Sequence, residues 1–247
     1  GLSRGTIRVN NINFKDRREE MLGLIGYLPQ EFGFYENLTA YEFLDYIAIL
    51  KNLYDRKKRE ELINYTLNSV HLNEQKNRKI GGFSGGMKQR LGIAMILLNL
   101  PRILVVDEPT AGLDPRERIR FRNLMVDLSK ERIVIFSTHI IEDISSSCNK
   151  VAVLDKGKLY YLGEPQKMTE AAEGKVWEVF LDNSEFNKVR EKLWIVHHMQ
   201  ADGKIRVRCL SDTKPLPGAE ISKPSLEDAY LWLLGNRSIK IKDIHEE

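Results

Sequence analysis

The most regular hydrophobic spacing in the chain lies between residues 39 and 50, where apolar residues recur every three to four positions. Thr39 stands ahead of that run and Glu42 follows three residues later. This is capping-box spacing, in which the two side chains satisfy each other's free backbone N–H groups, so a helix is expected from 39 to about 50. Seven consecutive charged residues, 55–61, read as the solvated start of a second helix reaching about 70. A third helix is expected over 84–98, with Met87, Leu91, Ala94, Met95 and Leu98 on one face. Short strands are expected at 6–9, 25–28 (stopped by Pro29) and 133–136, with a short helix over 16–24. The continuous apolar run 103–106 predicts a strand buried on both faces. A helix follows Pro115, a short one covers 140–146, and 151–154 with 159–162 form a hairpin-like pair around Lys156 and Gly157. Helices alternating with apolar strands imply an α/β fold around a mostly parallel sheet.

The pattern changes near Pro165. Strands at 176–181, 194–198 and 205–209 are amphipathic and alternate with short helices, of which 225–234 is the clearest. Three prolines and a glycine make 214–224 a loop. The expected organisation is a large domain over 1–165 and a small α+β appendage over 166–247.

Composition adds exclusions. Hydrophobic residues are 42% and charged residues 30%, which rules out a wholly disordered or collagen-like chain. The net charge of +3 gives no sign of a nucleic-acid partner. Cys148 and Cys209 are too few for a disulfide framework or a zinc site. No run approaches the roughly 18 apolar residues of a membrane helix. No signal peptide opens the chain.

Five places carry chemistry. The strand 103–106 ends in Asp107 and Glu108, two acids suited to holding Mg²⁺ and to activating water. Phe83, Ser84, Gly85, Gly86 and Met87 precede a helix, where close backbone approach and free N–H groups favour phosphate. His139 follows the strand 133–136 and can donate to a phosphate oxygen. Gln30 follows the strand 25–28, within reach of a metal or its water. Asp114, before Pro115, sits where it would cap a helix. His197 and His198 read as a solvated strand end rather than a metal site.

In this order the five places resemble the nucleotide-binding domain of ABC transporters. Gln30 matches the Q-loop, Ser84–Gly86 the signature loop, Asp107 and Glu108 the Walker B end, Asp114 the D-loop and His139 the switch histidine. The resemblance covers residues 6–162, and the tail 224–235 is similar to that of bacterial drug- or peptide-exporting ATPase subunits. It implies a P-loop NTPase-like (RecA-like) fold, with 31–98 as the helical, signature-bearing subdomain. It further implies ATP and Mg²⁺, a second nucleotide-binding domain, and transmembrane permease subunits at the inner face of the cell membrane. Asp107 and Gln30 would hold the metal, Glu108 would be the base, and His139 would stabilise γ-phosphoryl charge. Ser84, Gly85 and Gly86 would bind the γ-phosphate of a facing domain, with Asp114 aligning the interface. The segment 31–50 would meet the permease. Of its six aromatic residues, Phe43 and Tyr46 are expected in the core, and Phe34 and Tyr35 on the docking surface.

Two departures matter. Met87 stands where the family usually has glutamine. More seriously, each Gly-Lys pair, at 157, 174 and 203, lacks a following Ser or Thr, so the P-loop is absent. The expectation is an N-terminally truncated ATPase subunit, inactive and poorly soluble alone. The alternative is a non-catalytic partner that lends its signature loop to another chain. A gap of 54 positions between Gln30 and Ser84, without heptads, excludes chromosome-maintenance ATPases of this type.

Overall fold

The computed structural model describes residues 5–9 and 12–235. The chain divides into two compact units, 1–139 and 140–247. The compositional boundary at 165 lies inside the second unit, and 236–247 of the expected appendage lie outside the described residues.

In the first unit, β1 (Arg8–Val9) and β2 (Ile12–Asn13) form an antiparallel pair, and α1 (Arg18–Gly23) leads into β3 (Ile25–Leu28). Then come α2 (Ala40–Leu50), α3 (Arg56–Ser69), α4 (Gly85–Leu97), β4 (Ile103–Val106), α5 (Pro115–Ser129) and β5 (Ile133–Phe136). The strands β3, β4 and β5 make a three-stranded parallel sheet in that order. Leu28, Val106 and Phe136 share one register row, so all three strands end level. The residues after each strand therefore leave from the same end of the sheet, as open parallel sheets require of a binding crevice.

Local chemistry explains the helix boundaries. Thr39 Oγ1 accepts from the Glu42 N–H at 3.2 Å, and Glu42 accepts from the Thr39 N–H at 2.8 Å. Asp55 accepts from the Lys58 N–H at 3.1 Å and so starts α3. The charged run behind it is not wholly solvated: Arg59 is largely buried and pairs with Asp45 at 2.5 Å.

The helix α4 departs from the one-faced pattern. Leu91, Ile93, Ala94, Ile96 and Leu97 are all buried, because α2, α3, α5 and β3 pack around it. Gly92 is needed here, since a β-carbon would stand 2.7 Å from the Phe32 ring. The sheet also departs from expectation. Leu104 and Val106 are buried, but Ile103 and Val105 on the opposite face are only half-buried. On that same face Tyr27, Ile133 and Ile135 are exposed by 54%, 59% and 53%. Among the described residues only one face of β4 is fully covered, and the outer edges of β3 and β5 carry no further strand.

An open apolar face beside unpaired strand edges favours association. The 247-residue chain expressed alone is expected to self-associate. A monodisperse monomer by light scattering would contradict this.

The second unit opens with α6 (Ile141–Ser147) and the hairpin β6 (Val151–Asp155) and β7 (Lys158–Gly163). Its turn residues Lys156 and Gly157 both have positive φ, 47° and 75°, as the tight hairpin turn needs. Next come α7 (Pro165–Glu170), β8 (Val176–Leu181), α8 (Asn183–Val189), β9 (Trp194–Ala201), β10 (Lys204–Leu210), β11 (Glu220–Ile221) and α9 (Leu226–Gly235). The hairpin groups with the C-terminal helices: Val153 is buried with Met168 and Ala172, and with Ala229 and Leu233 of α9. The four remaining strands form an antiparallel sheet in the order β11, β8, β10, β9. Trp177, Val179, Val207 and Cys209 on one face pack with Phe186 of α8. The strand β11 was not apparent in the proline-rich stretch. It is two residues long and pairs with β8 only at Glu178 and Trp177.

Candidate functional site

The level strand ends assemble the site. Gln30 leaves β3, Asp107 and Glu108 leave β4, and Ser137 and His139 leave β5. The ladder continues one step past the strands, with the Asp107 N–H donating to Leu28 O at 2.9 Å and the Ser137 N–H to Val106 O at 3.0 Å. This fixes where the side chains begin.

Three side chains from three strand tips then meet at one carboxylate. Glu108 Oε2 lies 3.1 Å from His139 Nδ1 and accepts from Gln30 Nε2 at 3.4 Å. Glu108 adopts φ 40°, a conformation uncommon outside glycine. The unusual backbone is held by Ser137, whose Oγ accepts from the Glu108 N–H at 2.9 Å. The same hydroxyl donates to Asp107 Oδ1 in a short contact. Ser137 thus links both acids. It was not singled out in the sequence, though the polar triplet after β5 was its available signal.

Asp107 and Gln30 offer hard oxygen ligands beyond the tips of two neighbouring strands, β4 and β3. No cluster of three or more His, Cys, Asp or Glu side chains suited to a metal occurs among the described residues. Mg²⁺ commonly takes one or two carboxylates and completes its shell with water and substrate phosphates, so a carboxylate and an amide oxygen are donors of the kind it uses. The residues present fit the ion in that mode.

Ser84, Gly85, Gly86 and Asp114 form a second group. Ser84 caps α4, its Oγ accepting from the Met87 N–H at 3.2 Å. Asp114 caps α5, accepting from the Glu117 N–H at 2.9 Å. The two caps are neighbours: a β-carbon on Gly85 would stand 3.7 Å from Leu113. Ser84 and Asp114 each bond at their own helix start, while Gln30 and His139 meet at Glu108.

A third feature lies in 31–50. Phe34 packs edge-on against buried Phe43, with ring centroids 5.1 Å apart. Tyr46, expected in the core, is instead exposed and meets exposed Tyr35 edge-on at 5.7 Å. Its hydroxyl explains the reversal: a buried Tyr must find a partner for that group, and the helix side facing solvent removes the demand. Phe34, Tyr35, Leu38 and Tyr46 line an open groove.

A parallel sheet with an acid pair at one strand tip, faced by a glutamine and a histidine from its neighbours, defines an α/β domain of the nucleotide-hydrolase class. A family model described as ABC transporter matches residues 2–111. The chain is 34% identical over 241 residues to an uncharacterised ABC transporter ATP-binding protein, YxlF, of Bacillus subtilis (strain 168), spanning 92% of this chain and 80% of that one. It is 32% identical over 252 residues to the bacitracin transport ATP-binding protein BcrA of Bacillus licheniformis, spanning 95% and 81%. It is 30% identical over 226 residues to the probable multidrug ABC transporter ATP-binding protein YbhF of Escherichia coli (strain K12), spanning 86% of this chain and 39% of that one. The chain belongs to the ATP-binding subunits of the ABC transporter family. No helix among the described residues is long and apolar enough to cross a membrane.

Proposed function

We propose that this chain is the ATP-hydrolysing side of an exporter, working at the inner face of the cell membrane as one of two paired nucleotide-binding domains bound to permease subunits. The convergence of Gln30, Glu108 and His139 from three strand tips carries the reading. In it, Glu108 takes the proton of the attacking water, a role that needs a free carboxylate oxygen facing the substrate. His139 donates toward the γ-phosphoryl oxygens, where charge gathers in phosphoryl transfer. Asp107 and Gln30 would hold Mg²⁺, which supplies charge neutralisation when bound. Ser137 positions both acids through its one hydroxyl. Ser84, Gly85 and Gly86 approach the γ-phosphate bound by the facing domain, and Asp114 keeps that approach aligned. Tyr35 and Tyr46 present an apolar surface for a permease helix. Export is favoured over import by the tail's likeness to drug- and peptide-exporting subunits and by the names of BcrA and YbhF.

The 247 residues contain no Gly-x-x-x-x-Gly-Lys-Ser/Thr, whose amides and lysine cradle the phosphates in this class. These residues therefore supply the groups that face the γ-phosphate but not the cradle. Calorimetry with Mg²⁺-ATP is expected to show no binding by the 247-residue chain. Binding is expected when a P-loop strand and helix from a family member are fused ahead of Gly1. Binding by the unfused chain would mean that the cradle lies elsewhere and the roles above must be reassigned. The second reading, a signature donor without its own catalysis, would be favoured if the fusion bound ATP but did not hydrolyse it.

A further inference from the structure

The mechanism gives no role to Glu117, an acid beside the signature turn. Glu117, on the first turn of α5, is largely buried, and its Oε2 has no hydrogen-bond donor among the described residues. Its surroundings are specific. Oε1 accepts from Arg120 at 2.6 Å, and Oε2 lies 3.6 Å from Arg90, itself mostly buried. The carboxylate lies directly against the signature turn. A methyl on Gly86 would overlap it, with the carboxyl carbon only 2.8 Å away. Room for that methyl would require Glu117 or the turn itself to move. Arg90 in turn holds the turn from behind, donating to Gly86 O at 3.3 Å and to Val70 O and His71 O at 3.3 and 3.2 Å. Glu117 is also tied to Asp114, which accepts from its backbone N–H.

We infer that Glu117 is a positioning residue that locks the signature turn 84–86 to the start of α5, so that the phosphate-facing loop and Asp114 are held as one rigid piece. The inference rests on the reading of 84–86 as that loop. Two independent physical features support it. The second signature glycine is needed here for close approach of a carboxylate, beyond any need of its own φ. An ion pair formed with little solvent is costly to break from one side, which makes the lock stiff.

The test uses the complete subunit assembled with its permease. Hydrogen exchange, read by mass spectrometry over 84–90, is expected to quicken about tenfold in Glu117→Ala, with α2 and α3 unchanged, as a local opening would give. Unchanged exchange over 84–90 would overturn the lock, whatever the transporter's activity. In the same preparation the KM for ATP is expected to rise about tenfold with kcat within about twofold, because the loop contributes to binding and not to proton transfer. Glu117→Gln, which keeps the shape and one acceptor, is expected to restore most of the KM. A fall in kcat at constant KM would overturn positioning in favour of a direct part in chemistry. A wild-type complex with no ATPase would sink the functional reading, while the exchange result would still decide the lock.

Discussion

Glu108→Gln in the complete subunit is expected to lower ATP turnover by about 10²–10⁴-fold, the range that a positioned general base contributes. ATP-driven pairing of the domains is expected to persist. The geometry separates the two effects. Gln30 and His139 both address Glu108 Oε2, at 3.4 and 3.1 Å. A glutamine keeps an acceptor oxygen at that position and the same length, so the cluster is not dismantled. What it loses is basicity, which matters only when water must be deprotonated. The signature residues, held in a separate group by α4 and α5, are untouched. Steady-state turnover measured beside sedimentation with Mg²⁺-ATP checks both halves. Turnover within threefold of wild type would show that Glu108 is not the base. Lost pairing would show that it also holds the nucleotide.

The same geometry explains what the sequence could and could not tell. Motif order and strand propensity were enough to place Gln30, Asp107, Glu108 and His139 at strand tips. Level strand ends then do the rest, because a parallel sheet in register brings successive tips together. Ser137 escaped notice because its contribution is a hydroxyl shared across strands, 29 residues from Glu108 and 30 from Asp107. Spacing along one strand carries no trace of that link. Tyr46 was misplaced for a different reason. Its position in α2 is compatible with burial by period, but helical phase alone cannot say which side a neighbouring loop covers. Burial on both faces of β4 was over-read from an apolar run, since such a run records what a strand can tolerate and not what packs against it. Glu117 and Arg90 lay hidden in charge-rich helix starts, where solvation is the ordinary reading.

The largest stability effect is expected at Arg208, in the second unit. The start of the tail 224–235 has its own local chemistry. Ser225 Oγ accepts from the Asp228 N–H at 3.2 Å, and Asp228 accepts from the Ser225 N–H at 2.7 Å, a reciprocal cap at the start of α9. The Asp228 side chain is 1% exposed, so its charge needs a partner. Arg208 supplies it, with Nη2 donating to Asp228 at 2.6 Å and Nη1 to Glu178 at 2.6 Å. Burial pushes the Asp228 carboxyl up, but hydrogen bonds from Arg208 and Ser225 outweigh it and hold the group below its ordinary value. A depressed carboxyl adds stability that is complete above the unfolded value, 3.8 for Asp, and is lost as pH falls through the folded value. Arg208→Ala leaves Asp228 buried and charged at neutral pH, which is expected to cost about 3–5 kcal/mol. All three tryptophans, Trp177, Trp194 and Trp232, lie in this unit, so their fluorescence in urea reports its unfolding. With the guanidinium gone, burial is opposed only by Ser225 and the carboxyl protonates more readily. The gap between wild type and variant should therefore be widest near neutrality and narrow as pH falls below about 4. A gap that stays constant from pH 7 to well below pH 4 would assign the loss to the missing side-chain volume and not to the unpaired charge.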